Sequence, residues 1–189
     1  MDTNVCIVTG PIGSGKTYVC EMLKNYGFRV LNLDIISNEL LNSQEGLNFL
    51  SKNFPNVLSN NTIQRKLLAE EVFTDRAKLL ILEKFIHPKI NKYVNTWTNN
   101  LTGYAFIEVS APKRNFREHR IIVLNAPIEL RRERLLDRGM DPEDIDRRIR
   151  IQEPEEWWNA LGVNIKNINS DDIKKDVTSL LIKWGWLNE

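Results

Sequence analysis

The segment GPIGSGKT combines glycines, a lysine and a hydroxyl residue at a spacing that can bind phosphate. Gly10, Gly15, Lys16 and Thr17 match the pattern G-x-x-x-x-G-K-[ST], in which glycines let consecutive backbone N–H groups point at one anion. The lysine can reach the terminal phosphates of a nucleotide, the threonine hydroxyl can bind magnesium, and the helix that follows adds its positive end. The predicted contacts of this triphosphate loop are Gly10, Ile12, Gly13, Ser14, Gly15, Lys16 and Thr17.

Two acidic residues follow apolar runs that are predicted strands. Asp34 ends the second run, FRVLNLD, and Glu108 lies near the end of the third, GYAFIEVSAP. The carboxyl ends of parallel strands face the ligand crevice of an open α/β sheet, so both acids are candidate site residues. Asp34 can orient or deprotonate an acceptor hydroxyl, or it can cap the following helix. Glu108 needs a partner when buried, and a magnesium-bound water, Lys16 or an arginine could each provide one.

Arginines are concentrated in the segment LRRERLLDRGMDPEDIDRRIRIQ. They are Arg131, Arg132, Arg134, Arg138, Arg147, Arg148 and Arg150. Arg134 and Arg138 lie one helical turn apart, just before a glycine turn. This suits a lid, at about residues 131–152, that covers transferring phosphates and excludes water, although several of these arginines are expected to form a solvated helix face. A short basic lid favours a kinase, and the absence of an Asn-Lys-x-Asp motif disfavours a GTPase.

Alternating strands and helices must position these groups. The apolar runs NVCIVTG, FRVLNLD, GYAFIEVSAP and HRIIVLNAP are predicted strands, and GVNIKNI is a shorter fifth. Helices are predicted from Lys16 to Tyr26 and over PIELRRERLLDRG, PEDIDRRIRIQ and SDDIKKDVTSLLIKWGW. The predicted boundary residues of these later helices are Pro127, Gly139, Asp141 and Ser170. Strands that alternate with helices favour a parallel sheet that is covered on both faces.

The segment between the second and third strands has helical periodicity and no convincing strand. Its helical runs include EGLNFLSKNF, IQRKLLAEEVF and DRAKLLILEKFIHPKINKYVNTW, and FPNVLSNNT interrupts them before Thr62, a predicted helix N-cap. We therefore predict an α/β protein with the P-loop NTPase kinase fold, a five-stranded parallel sheet flanked by helices. Residues 1–35 and 101–189 form this core with its helical lid, and residues 36–100 form an inserted helical acceptor-binding lobe.

The composition is that of an ordinary globular protein, with 42% hydrophobic and 27% charged residues among 189 and a net charge of +1. This charge gives no general attraction to nucleic acid or membranes. No stretch is long and apolar enough to span a bilayer, and MDTNVCIV lacks the basic region of a signal peptide, so we expect a cytoplasmic protein. Cys6 and Cys20 lie in apolar segments and are expected to be core residues. We expect a monomer or a small homo-oligomer acting on a small-molecule acceptor.

Together these motifs resemble the dephospho-coenzyme A kinase family over most of the chain. TGPIGSGKTYVCEMLKNYGFRVLNLDIIS is similar to the phosphate loop of the family and its strand-two aspartate, which falls on Asp34. NNTIQRKLLAEEVF and FIHPKI resemble its helical substrate lobe, and YAFIEV resembles its third strand, with Glu108 where relatives often have aspartate. APIELRRERLLDRGMDPEDIDRRIRIQ resembles the lid and ends on the matching Gln152. The loop is a general motif, whereas the lobe and lid segments are more specific.

The resemblance implies transfer of the γ-phosphoryl group of ATP to the ribose 3′-hydroxyl of dephospho-coenzyme A, with ATP and Mg²⁺ as cofactors. It makes Asp34 the catalytic base and places Lys16 on the transferred phosphates. Thr17 would bind magnesium directly, and Glu108 would hold it through water. Arg138 would act from the lid.

The acceptor side of the resemblance combines matches with departures. Arg65 and His87 fall in the acceptor lobe, although His87 can equally be a turn residue before Pro88. After the third strand the family usually has Pro-Leu-Leu-aromatic-Glu, whereas this chain has SAPKRN, and its late Asp-x-Val-Ile-x-Asn segment becomes VNIKNINS. Lys113 and Arg114 suit a more anionic or larger acceptor. One alternative is therefore a related kinase acting on a nucleoside, a nucleotide or a modified base in DNA, and another is an ATP-binding protein without transferase activity.

Replacing both Lys113 and Arg114 by leucine should change the acceptor preference of the protein. A hydrogen bond to a charged group contributes about 1.5–3 kcal/mol, so the kcat/KM ratio between an anionic and a neutral acceptor should fall about tenfold or more. Steady-state kinetics with a panel of acceptors measures this ratio. An unchanged ratio would mean that the two cations belong to a solvated turn.

Overall fold

The computed structural model describes residues 4–110, 112 and 119–188, and its centre is a five-stranded parallel sheet. The strands are β1 (Val5–Thr9), β2 (Arg29–Asn32), β3 (Leu58–Ser59), β4 (Thr62–Ile63), β5 (Ala105–Glu108), β6 (Arg120–Asn125) and β7 (Val163–Lys166). The helices are α1 (Lys16–Asn25), α2 (Leu33–Asn42), α3 (Gln44–Asn53), α4 (Arg65–Thr74), α5 (Arg76–Asn99), α6 (Ile128–Asp137), α7 (Pro142–Arg150), α8 (Glu155–Asn159) and α9 (Ser170–Lys183). The strand order β2–β5–β1–β6–β7, with parallel neighbours throughout, confirms the predicted sheet.

The central strand β1 is apolar except for Thr9, and all of it is buried. The hydroxyl of Thr9 donates a hydrogen bond to the Val109 carbonyl at 2.7 Å, so this polar group is satisfied inside the sheet. The strand register places both Val8 and Asn32 opposite Glu108. The carboxyl ends of β1, β2 and β5 therefore meet at one edge of the sheet, and this edge carries the phosphate loop.

Helices α1 and α9 pack on the sheet through their apolar stripes. A core cluster joins α1, α9 and the strands and includes Val8, Val19, Cys20, Leu23, Phe106, Ile122, Leu124, Ile173, Val177 and Leu181. Cys6 and Cys20 are both buried and form no disulfide, which confirms their interpretation as core residues. Burial raises the pKa of both thiols, so they stay protonated at neutral pH.

Most helix boundaries follow the predicted capping residues. Pro127 immediately precedes α6, Gly139 adopts φ +75° just after it, and the Asp141 carboxylate accepts hydrogen bonds from two backbone N–H groups at the start of α7. The prediction for Ser170 is wrong by one position, because Asn169 is the extended residue whose side chain caps α9. Across the described ranges, every helix is too short or too polar to cross a lipid bilayer.

A second compact unit, Leu33–Leu101, interrupts the first, which comprises Met1–Asn32 and Thr102–Glu189. It contains α2 to α5 and the short antiparallel hairpin of β3 and β4. Thr62 belongs to this hairpin, so its prediction as a helix N-cap is wrong. Asn60 and Asn61 have φ of 49° and 58°, the left-handed conformation that a two-residue hairpin turn requires. The hairpin has only two residues in each strand, too few for sequence alternation to reveal.

An aromatic cluster stabilises the amino end of β5, opposite the phosphate loop. The Trp186 ring stacks on Tyr104 at 4.3 Å and meets Phe106 edge-on at 5.5 Å and Trp184 at 5.4 Å between ring centroids. Trp186 is buried, although it follows the last helix. This ring therefore anchors the end of the chain to the core.

Replacing Trp186 by alanine should lower the free energy of unfolding by about 3–5 kcal/mol, because the substitution leaves a large cavity. Urea denaturation followed by circular dichroism measures this change. Leu136 is 45% exposed, and its replacement by alanine should change the stability by about 0.5 kcal/mol or less. Equal effects of the two substitutions would contradict an anchoring role for Trp186.

Candidate active site

The glycines of the loop between β1 and α1 are required by its geometry. Gly10 and Gly15 adopt φ of +146° and +92°. A Cβ atom at Gly10 would lie 2.1 Å from the Leu124 carbonyl oxygen, and one at Gly15 would lie 2.0 Å from Nδ2 of Asn167. The backbone conformation and the close approach of neighbours therefore both exclude a side chain at these positions.

The loop leads directly into α1 at Lys16, and Gly15 occupies the N-cap position without a side chain to cap the helix. The first N–H groups of α1 thus remain suited to an anion. Lys16 Nζ donates hydrogen bonds to the carbonyl oxygens of Gly10 at 2.8 Å and Pro11 at 3.2 Å, so the lysine reaches across the loop. Thr17, the next residue of α1, is exposed. This arrangement provides a cation, backbone donors and a hydroxyl at one place.

Asn167 and Arg134 fasten the second half of the loop from outside. The Asn167 side chain donates to the Ser14 carbonyl at 2.8 Å, and Arg134 donates to the Gly13 carbonyl at 3.5 Å and the Asn167 carbonyl at 3.0 Å. Asn167 follows β7 and is buried. Burial lowers the pKa of Arg134, and the nearby positive charge of Arg138 lowers it further. Arg134 was predicted to serve the lid, but it binds the loop backbone.

Arg131 and Gln152 fasten the first half of the loop in a similar way. Arg131 Nε donates to the Ile12 carbonyl at 2.8 Å, and its Nη2 donates to Gln152 Oε1 at 3.1 Å. The same Gln152 oxygen accepts a hydrogen bond from the Ile12 backbone N–H at 3.0 Å. Arg131 is buried, and burial lowers its pKa while the charge of Glu155 opposes that change. Arg131 and Gln152, the first and last residues of the predicted lid, therefore both form hydrogen bonds with the phosphate loop.

An open cavity of about 320 Å³ lies beside the start of α1. Its lining residues are Gly15, Tyr18, Arg134, Asp137, Arg138, Asn167 and Ser170. Arg138 is exposed at the end of α6, so its guanidinium group is accessible from solvent. The cavity therefore adjoins the loop, and two arginines contribute to its wall.

Glu108 is buried at the end of β5, and its Oε2 accepts a hydrogen bond from Asn32 Nδ2 at 2.6 Å. Its oxygens and the Thr17 hydroxyl are hard donors of the kind that magnesium prefers. Within residues 4–110, 112 and 119–188, no group of three or more His, Cys, Asp or Glu side chains is placed to hold a metal ion. This donor set fits a magnesium ion that takes most of its ligands from phosphates and water.

Three predicted site residues lie in the second unit. Asp34 is exposed in the first turn of α2, because β2 ends at Asn32 and not at Asp34 as predicted. Arg65 begins α4 and donates to Asn38 Oδ1 at 2.9 Å. His87 is half-buried inside α5, which continues through Pro88.

Lys113 and Arg114 lie outside the described residues. Arg65 contributes to a largely apolar cavity of about 230 Å³ within the second unit. Asn38, Leu41, Leu68 and Val72 also line this cavity. Its wall offers one cation and mostly apolar surface to a ligand.

Sequence reasoning missed Asn167 as a residue of the site. It lies inside the predicted fifth strand, GVNIKNI, which runs past the observed end of β7 at Lys166, so its type and spacing do not single it out. Gln152 was noted as the end of the lid, but nothing in the sequence indicated its hydrogen bond to Ile12. Both contacts join residues that are distant in the chain, 153 positions apart for Ser14 and Asn167 and 140 for Ile12 and Gln152.

The sheet carries a glycine loop at its carboxyl edge, a helical insertion follows β2, and arginines surround the loop. These features define a P-loop kinase, a class of ATP-dependent transferase. Residues 4–171 match the family model for dephospho-CoA kinase. The curated dephospho-CoA kinase of Chlamydia muridarum is 31% identical over 172 residues, which cover 85% of this chain and 85% of the relative. The chain belongs to the dephospho-CoA kinase family.

Two solved structures are similar to this chain over almost its whole length. The crystal structure of TT1252 from Thermus thermophilus is similar with a TM-score of 0.84 and 27% sequence identity, covering 97% of this chain and 98% of that one. The dephospho-CoA kinase from Campylobacter jejuni is similar with a TM-score of 0.70 and 27% identity, covering 97% of this chain and 99% of that one.

Replacing Asn167 by alanine should weaken nucleotide binding, because it leaves the buried Ser14 carbonyl without its donor. An unsatisfied buried group costs about 1–3 kcal/mol, so we expect the Kd for ADP to rise about tenfold. Calorimetric titration with ADP measures this change. Asn164 lies on the same strand region but is exposed, and Asn164→Ala should bind ADP like the unmodified protein. Equal ADP affinity for Asn167→Ala would contradict a role in holding the loop.

Proposed function

We propose that this protein transfers the γ-phosphoryl group of ATP to the ribose 3′-hydroxyl of dephospho-coenzyme A. The observation that carries the proposal is a phosphate loop fastened on both sides in a chain that matches the dephospho-CoA kinase family over residues 4–171. A loop held in this way presents its N–H groups to a triphosphate without reorganisation.

The donor nucleotide would bind at the loop and in the adjoining cavity. The N–H groups of the loop and of the start of α1 bind its phosphates, and Lys16 moves from the Gly10 carbonyl to the terminal phosphate. The adenine ring of the nucleotide occupies the cavity beside Gly15, where the Arg134 guanidinium offers a flat cationic surface. Magnesium, when bound, neutralises charge on the phosphates. Thr17 would hold it directly, and Glu108 would hold it through a water molecule.

The acceptor would bind in the second unit. Arg65 offers a cation next to the apolar cavity of that unit, which suits an anionic molecule with a long apolar part. His87 and the pair of Lys113 and Arg114 complete the proposed acceptor contacts. This combination matches a nucleotide that carries an extended chain.

The transfer needs a base, and we assign it to Asp34. Asp34 takes the proton of the acceptor hydroxyl as the new O–P bond forms and the bond between the β and γ phosphates breaks, which releases ADP. Arg138, exposed at the end of α6, stabilises the charge of the transferred group. Asp34 thus accepts the proton, Arg138 stabilises the transferred group, and the loop holds the phosphates during one in-line transfer.

One feature of the sequence favours a second acceptor class. The segment SAPKRN brings Lys113 and Arg114 to a place where the family usually has an apolar residue and an acid. A nucleotide or a modified base in DNA would provide the additional negative charge.

Incubation of the protein with labelled ATP and magnesium distinguishes these acceptors. Dephospho-coenzyme A, nucleosides, nucleotides and DNA are offered in parallel. Label in coenzyme A supports the proposed function, and label only in another product supports the second class. ATP binding without transfer to any acceptor would show a non-catalytic nucleotide-binding protein.

Replacing Asp34 by asparagine should lower kcat at least about a hundredfold and leave the Kd for ATP within about twofold, because general-base catalysis contributes about 10²–10⁴-fold. Lys16→Ala should instead raise the Kd for ATP as well as lower kcat, because it removes a phosphate contact. Single-turnover kinetics and calorimetry separate the two effects. Full activity of Asp34→Asn would show that Asp34 is not the base.

A further inference from the structure

A second cavity, of about 390 Å³, adjoins the phosphate loop at Pro11 and is not used by the donor or acceptor contacts proposed above. It lies within the first compact unit, and it shares no described lining residue with the cavity beside Gly15. Lys166 and Ile168 line it, whereas Asn167, which lies between them, lines the cavity beside Gly15. Consecutive residues of an extended chain point to opposite sides, so the two cavities lie on opposite sides of the chain that follows β7. The volume is that of a small-molecule site.

Much of the wall of this second cavity is apolar. Trp158 is 4% exposed, and its indole N–H donates to the Glu153 carbonyl at 3.0 Å, so the ring is held in place. Ile128 and Ile168 also line the cavity, and each exposes more than half of its side-chain surface, 51% and 55%. Covering these apolar side chains would favour a ligand with an apolar body.

Arg131 adds a buried cation to the same wall. Its Nε and Nη2 donate to the Ile12 carbonyl and to Gln152 Oε1. A guanidinium has five N–H donors, so others remain for a ligand. Among the residues that the structure describes, neither Arg131 nor Lys166 has a partner in an ion pair. Burying an arginine without a counter-ion is costly, and an anion in the cavity would offset that cost.

Two acids of the wall limit the charge that such a ligand can carry. Glu153 and Glu155 line the cavity, and both are exposed. Glu155 accepts a hydrogen bond from Asn125 Nδ2 at 3.0 Å. Among the described wall residues, these two acids balance the charges of Arg131 and Lys166. One negative charge can therefore meet the buried cation, whereas a second charge would meet the acids.

We propose that this second cavity is a binding site for a small apolar monoanion, of the class of the aromatic carboxylates. The carboxylate would accept paired hydrogen bonds from the remaining donors of Arg131, and Lys166 would add a solvent-exposed cation. The apolar body would lie against Ile128 and Trp158. Because Arg131 also donates to the Ile12 carbonyl, the ligand would contact a residue that holds the phosphate loop. The inference does not depend on which acceptor the protein phosphorylates.

The test is calorimetric titration of the full chain with 2-naphthoate in the presence of saturating ADP, which occupies the phosphate loop. We expect 2-naphthoate to bind at least about tenfold more tightly than its neutral counterpart 2-naphthamide, because the amide lacks the charge that Arg131 pairs with. 2-Naphthyl phosphate, which carries more negative charge, should bind more weakly than 2-naphthoate. A phosphate-binding site would give the opposite order.

Two substitutions in the wall should weaken 2-naphthoate binding by different mechanisms. Ile128→Asp adds a like charge and should lower the affinity about tenfold or more, and the protein should still fold because an aspartate is favourable in the first turn of α6. Lys166→Met removes the exposed cation and should lower the affinity about threefold. Leu136→Asp and Lys174→Met are the matched controls, because both residues are exposed and lie outside the wall. Both controls should bind 2-naphthoate like the unmodified protein.

Nuclear magnetic resonance of the protein with ¹⁵N-labelled tryptophan locates the ligand. 2-Naphthoate should shift the indole N–H signal of Trp158, which Trp158→Phe identifies by its loss. The signal of Trp186, in the aromatic cluster at the amino end of β5, should stay in place.

Any of four results would overturn the inference. They are no binding of 2-naphthoate to the ADP complex, equal affinity for 2-naphthamide, affinity unchanged in both Ile128→Asp and Lys166→Met, and a shifted Trp186 signal with an unshifted Trp158 signal.

Discussion

A backbone that turns its N–H groups toward an anion must turn its carbonyl groups the other way, and those carbonyls need donors. In this protein the donors come from side chains far away in the chain. Arg131 serves the Ile12 carbonyl, Asn167 the Ser14 carbonyl and Arg134 the Gly13 carbonyl. The phosphate loop can therefore keep its shape before a nucleotide binds, and less of the binding energy is spent on ordering it. The remaining features of the donor site depend on this external support.

Three of the arginines in and just after α6 differ in their surroundings. Arg131 and Arg134 are drawn into the loop scaffold, where burial lowers the pKa of each but leaves a guanidinium charged at neutral pH. Arg138 remains exposed at the helix end. Arg131 and Arg134 place positive charge beside the loop, and Arg138 offers an exposed cation at the helix end. Gln152, at the end of the lid segment, accepts a hydrogen bond from the Ile12 backbone N–H. The same side chain therefore supports the loop and holds the end of the lid segment beside it.

The donor and acceptor sides of the protein differ in how far they follow the family. The loop, the sheet and the arginines around the loop are arranged as a P-loop kinase requires. The proposed acceptor residues combine Asp34 and Arg65, which the family resemblance indicates, with the basic segment that contains Lys113 and Arg114. Glu108 lies at the end of β5, where the Asn32 side chain of β2 donates to its carboxylate.

The sequence by itself determined the phosphate loop, the parallel sheet and several helix ends, because each depends on residues close together in the chain. Glycine spacing defines the loop, apolar runs define strands, and Asp141 caps α7 through its immediate neighbours. Tertiary structure alone decided which donors satisfy the loop, that β2 ends before Asp34, and that the Asn32 amide donates to Glu108. Those outcomes depend on which strands become neighbours and which buried polar groups then need partners. Such requirements arise only when segments separated by 76 to 153 positions are brought together.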